Sequence, residues 1–189
     1  MTESKRADAR RNRDQVIAVA REAFAEYGTA TSLREVARRA GVGIGTLYRH
    51  FPTREALLEA VLADRFEKLR RDALDLADAD DPRAALGQWL GQLAAGSGTY
   101  RGLPESVLTA LRDKESRLHA ACDAMRSAGG DLVRRAQDAG VVRQEVVVED
   151  LLAAAAGIAW AGERAEDPTA LVDRLLDYLM AGVATRPTT

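Results

Sequence analysis

At 189 residues, with 47% apolar and 30% charged side chains, the chain has the composition of a globular protein that fills a core, long enough for one ordinary domain and a smaller one. No stretch approaches the ~20 uninterrupted apolar residues of a membrane span, the charged N-terminus lacks the apolar segment of a secretory signal, and the lone Cys122 excludes an internal disulfide framework and fits a reducing cytoplasm. The net charge of −2 argues against nucleic acid, but residues 1–54 hold eleven Lys/Arg against six Asp/Glu, while residues 55–189 hold sixteen against twenty-three. A basic head on an acidic body points to a polyanion-binding module attached to something else; a chance fluctuation of an Arg-rich sequence is the plain alternative.

Ala, Leu, Arg and Glu dominate, which favours helices. Val16, Ile17, Ala20, Ala23, Phe24 and Tyr27 recur at helical spacing, so Ala9–Tyr27 is expected to be an amphipathic helix closed by Gly28. Ser32 and Glu35 read as a capping box opening a short second helix, with Leu33, Val36, Ala37 and Ala40 on its apolar face and Gly41 at its end. A third helix is expected over Ile44–His50, stopped by Phe51-Pro52. Thr53 caps a long helix reaching about Ala79, with Glu55 in its first turn. Asp81-Pro82 and Asp167-Pro168 open two more helices, and the remaining ones fall at about 104–113, 115–139 and 149–163. Gly96-Ser-Gly98 reads as a loop, and Gly129-Gly130 as a weak point in the longest body helix. The valine-rich run 141–148 has strand propensity but no partner strand, so an extended connector is expected. The fold class is all-α in two parts, a three-helix domain at 1–53, its arm 1–10 basic and flexible, and a larger helical domain at 54–189.

Two short helices joined by a Gly-containing turn fit the helix-turn-helix, whose second helix lies in the major groove. Ala37 is small enough for the helices to cross, Gly41 permits the sharp turn, and Val42 and Leu47 pin the pair to the first helix. Ser32-Leu-Arg-Glu-Val-Ala-Arg-Arg-Ala-Gly-Val-Gly-Ile-Gly-Thr-Leu-Tyr-Arg-His-Phe51, followed by Pro-Thr-Arg-Glu-Ala-Leu-Leu58, resembles the DNA-binding region of TetR-type repressors. Residues 12–62 carry the resemblance, and Gly-Thr-Leu-Tyr-Arg-His-Phe is its most specific part. It implies a homodimer on double-stranded, palindromic operator DNA, released by a small-molecule effector bound in the C-terminal body. It also implies DNA contacts at Thr46, Tyr48 and His50, the last two mostly to phosphates, and a phosphate contact at Arg54. Thr31, Ser32 and Arg34 at the start of the second helix are further candidates, Ile44 or Thr46 for a thymine methyl, and Arg49 for a base edge or a phosphate. Gly43 departs from the family, which carries a polar residue there; with Gly45 it leaves backbone rather than side-chain contacts at the reading end. Shape readout and the arm (Lys5, Arg6, Arg10, Arg11, Arg13) would then contribute more, unless that arm is a solvated tail.

In the body, Leu152, Ala156 and Trp160 on one helix and Leu171, Leu175 and Leu179 on the last helix are candidate dimer contacts, with an intrachain core as the alternative. Phe66, Trp89, Tyr100, Leu111, His119, Cys122, Met125 and Trp160 are candidate ligand contacts, each equally readable as ordinary core. His119 and Cys122 share a helix face, but two His and one Cys are too few for a soft metal site. No cofactor motif is present, no Gly-x-Ser-x-Gly elbow or phosphate loop exists, and enzymatic activity is not expected. The competing function is a helix-turn-helix protein without a ligand switch, controlled by a protein partner or by its own concentration.

Overall fold

The computed structural model describes residues 2–95 and 103–185. Among them the regular elements are helices: α1 (Thr2–Tyr27), α2 (Leu33–Arg39), α3 (Ile44–His50), α4 (Arg54–Asp75), α5 (Pro82–Ala95), α6 (Glu105–Arg112), α7 (Arg117–Asp138), α8 (Val148–Gly162) and α9 (Pro168–Val183). No helix among the described residues is long and apolar enough to cross a membrane. The expected Gly96–Gly98 loop, Tyr100 and the side chains of Lys5 and Arg6 lie outside the described residues. The chain divides into two compact units inside α4, the first comprising Met1–Arg65 with Thr99–Ala120 and the second Phe66–Gly98 with Ala121–Thr189.

In the first unit α1, α2 and α3 pack on one another. Val16, Ile17, Ala20, Ala23 and Phe24 of α1 are buried at the spacing the sequence predicts, but Tyr27 is 57% exposed. The helix begins at Thr2 rather than Ala9, and an Asp8–Arg11 pair one turn apart suits that extension. Leu33, Val36 and Ala37 of α2, Leu47 of α3, Phe51, and Leu57, Leu58, Val61 and Leu62 of α4 complete the core, and Arg21 and Asp64 pair at 3.6 Å. The Thr53 hydroxyl accepts from the Ala56 amide at 3.0 Å, so the cap of α4 forms as expected.

In the second unit α5, α8 and α9 form a packed set. Asp81 caps α5 by accepting from the Arg83 and Ala84 amides, and Asp167 caps α9 by accepting from Ala170. The α4 helix stops at Asp75, short of the expected Ala79; turns follow, and the Arg135 guanidinium donates to the Leu76 and Ala79 carbonyls just beyond its end. Trp89 is wholly buried and donates its indole N–H to the Leu69 carbonyl at 2.9 Å. Gly129 does not weaken α7 into a break, because it is where the Trp89 ring fits: a Cβ there would lie 2.1 Å from Cη2. Residues 141–147 form a connector with a turn at 144–145 and one antiparallel bridge, Val142 to Ala184, while Val148 already opens α8 instead of ending the expected extended run. Gln137 pins it, its side-chain amide donating to the Arg143, Gln144 and Val146 carbonyls at 3.1, 3.1 and 2.9 Å, while Gln144 returns a bond to the Gln137 carbonyl.

Candidate nucleic-acid interface

Ala40 ends α2, and Gly41 follows at φ +65, a conformation that a Cβ would strain. The Val42 amide closes the turn on the Ala37 carbonyl at 3.0 Å, and α3 starts two residues later. Leu47, fully buried, anchors α3, so the opposite side of the helix, on which Gly45 and Arg49 lie, faces outward. Ile44 is 37% and Tyr48 47% exposed, and Gly43, Gly45 and Arg49 are exposed beside them, with Thr46 and His50 half-buried. A seven-residue helix that shows solvent an isoleucine, a tyrosine and an arginine is built to be covered. Arg49 donates to the Thr46 hydroxyl at 2.9 Å, so the guanidinium is held along the helix. The Arg13 guanidinium lies 5.6 Å from the centre of the Phe51 ring, bringing one arm residue to the end of α3. Gly43 caps α3 with extended backbone and no side-chain bond, as its lack of a side chain requires.

Two of the expected contact residues have partners inside the fold. The Thr31 hydroxyl lies 2.8 Å from the Gly28 carbonyl and 3.3 Å from that of Ala23, turned back onto the end of α1. Arg54 Nη1 donates to the Thr29 and Thr31 carbonyls at 2.8 and 2.5 Å, so this side chain has main-chain partners within the fold. Ser32 and Arg34 are exposed on α2.

The Ser32–Glu35 capping box does not form. Ser32 makes no side-chain cap bond, and the Glu35 carboxylate that would return to the Ser32 amide is taken by Arg38 Nε and Nη2, at 2.8 and 2.7 Å, and by Arg39 Nε, at 2.8 Å. Arg39 also lies over the Tyr27 ring and bonds its hydroxyl and Glu26, an arrangement that no local spacing announces. Arg38 first and Arg39 second pull the Glu35 carboxyl down from 4.5 to about 2, and the Tyr27 hydroxyl, then Arg39, lowers that of Glu26. A depressed carboxyl stabilises the fold above its unfolded value and loses that contribution as pH falls towards 2. Glu35→Gln is therefore expected to flatten the decline in melting temperature between about pH 4.5 and pH 2. An undiminished decline in the variant would free Glu35 from this role.

The candidate ligand residues are divided between the two units. Leu111 and His119 belong to the first unit, where His119 Nδ1 lies 2.8 Å from the Leu111 carbonyl. In the second, Phe66, Trp89 and Met125 are buried, and Cys122 is half-buried with its thiol pushed up by desolvation. Trp160 is 57% exposed under the Arg164 guanidinium, 4.0 Å away, and is thus no core residue. It shares the outward side of α8 with Ala156 and half-buried Leu152, while Leu171, Leu175 and Leu179 of α9 are half-buried. Tyr178, 65% exposed, belongs to the same surface class and was not singled out by the sequence, since an isolated tyrosine carries no periodic signal.

Residues 16–61 match the family model described as bacterial regulatory proteins, tetR family, and residues 81–185 match that of the transcriptional regulator SbtR-like C-terminal domain. The TetR transcriptional regulator SCO0520 from Streptomyces coelicolor is 34% identical, covering 94% of this chain and 99% of that one, with a TM-score of 0.73. The TetR transcription regulatory protein from Mycobacterium vanbaalenii is 33% identical over 95% of this chain and 99% of that one, with a TM-score of 0.70. The HTH-type transcriptional repressor KstR from Mycolicibacterium smegmatis is 40% identical over 82 residues, 42% of this chain. That match spans only 36% of the repressor's own length.

Proposed function

The chain belongs to the TetR family of bacterial regulatory proteins, a family of DNA-binding transcriptional regulators rather than enzymes, and from that premise we propose that it is a cytoplasmic homodimeric repressor that leaves a palindromic operator when a small molecule binds its body. The observation that carries this reading is the outward face of α3, where Ile44, Tyr48 and Arg49 stand exposed over a helix anchored by Leu47. Ile44 suits a thymine methyl, Arg49 the O6/N7 edge of guanine, and Tyr48 and His50 the flanking phosphates. The second copy would cover the outward sides of α8 and α9, with Ala156 and Gly157 admitting a close helix and Trp160, Leu175 and Leu179 filling around them. Because α4 crosses the division between the units, it is the element through which a bound effector would change the spacing of two α3 helices.

Selection of bound duplexes from a random pool tests the reading. Enrichment of an inverted repeat with half-sites about 10 base pairs apart, or a multiple of that, is expected. Recovery of unrelated sequences would overturn operator recognition. Light scattering of the intact protein should give twice the 20.4 kDa chain mass, and Leu175→Glu should return it to one chain. An effector present at about a hundred times its Kd should raise stability by about 2.7 kcal/mol and weaken operator binding.

A further inference from the structure

The loop between α1 and α2 is held from two sides. From one side the Thr31 hydroxyl reaches back to the Gly28 and Ala23 carbonyls. From the other, Arg54, from the first residue of α4, gives the two hydrogens of Nη1 to the carbonyls of Thr29 and Thr31, twenty-five and twenty-three positions earlier. Its location is informative in itself. A cation at a helix N-terminus opposes the helix dipole, so Arg54 is not there for the sake of α4. Two carbonyl dipoles aimed at the guanidinium offset that opposition, and the side chain is half-buried where it meets them.

We propose that Arg54 is a positioning residue for DNA recognition: it fixes the α1–α2 loop, and through it the register of Ser32 and Arg34 on α2, instead of neutralising a phosphate itself. The inference rests on the DNA-binding reading above, and it separates two roles that predict different salt behaviour. A phosphate contact contributes to counterion release; an internal clamp does not.

The test is the salt dependence of binding to a mixed-sequence duplex by the full-length protein, together with hydrogen exchange of the 29–34 amides without DNA. For Arg54→Met the affinity should fall roughly threefold or more at every salt concentration with the log–log slope unchanged, and the loop amides should exchange roughly tenfold faster. Arg54→Gln, neutral but still a donor, should recover part of both, and it carries the comparison if the methionine variant does not fold. A slope reduced by about 0.9 in both variants would make Arg54 a phosphate contact and overturn the proposal. Unchanged loop exchange in Arg54→Met would overturn it as well. Wild-type protein without salt-dependent binding would overturn the DNA-binding reading itself, an outcome kept distinct because the exchange measurement involves no DNA.

Discussion

Gly129→Ala is expected to destabilise the protein by about 3 kcal/mol, although the same exchange in an open helix interior stabilises by about 1 kcal/mol. The sign reverses because the new methyl would sit 2.1, 2.7 and 2.8 Å from three carbons of the Trp89 ring, in a fully buried place. The ring cannot slide away freely, since its buried N–H is fixed to the Leu69 carbonyl and moving it would break that bond. Denaturant unfolding of Gly129→Ala, Trp89→Phe and the double variant measures this directly. The smaller ring should make room, so the double variant should be more stable than the sum of the single losses allows. Additive losses would show that the two side chains do not contend for the same space.

Leu47→Ala is the largest expected effect on the reading unit. Leu47 is fully buried and is the one buried residue within α3, so truncation removes the anchor that turns Ile44, Tyr48 and Arg49 outward. A buried Leu→Ala change costs about 3–5 kcal/mol, and a seven-residue helix has no stability of its own to absorb it. Affinity for a duplex should fall roughly a hundredfold at a temperature where circular dichroism still shows most of the helix content, because α5, α8 and α9 keep their own core. Undiminished binding by this variant would mean that α3 does not read the DNA.

The helix-turn-helix was legible because its signals are local. Burial at 33, 36, 37 and 47 follows helical period, and the positive φ at Gly41 follows from the turn. The capping box misled for an equally local reason. Glu35 stands three residues after Ser32 but also three and four before Arg38 and Arg39, and two charge-assisted partners outweigh one backbone amide. Gly129 read as a weak point because propensity sees only α7, whereas Trp89 is forty positions away. The bonds from Arg54 to the α1–α2 loop were not legible, because main-chain carbonyls leave no mark in a sequence. Trp160 was open to misreading because an aromatic on an alanine-rich helix has no side until the buried positions 151, 155 and 159 are known.

Gln137 carries a consequence of another kind. Substitution tables rank glutamine to glutamate among the mildest exchanges, equal in volume and differing in one group. At this position the group faces three carbonyl oxygens, so the exchange replaces a donor with a charged acceptor pointed at its own kind. Gln137→Glu would thus remove three bonds at once and set the connector joining α7 to α8 against the side chain that now holds it.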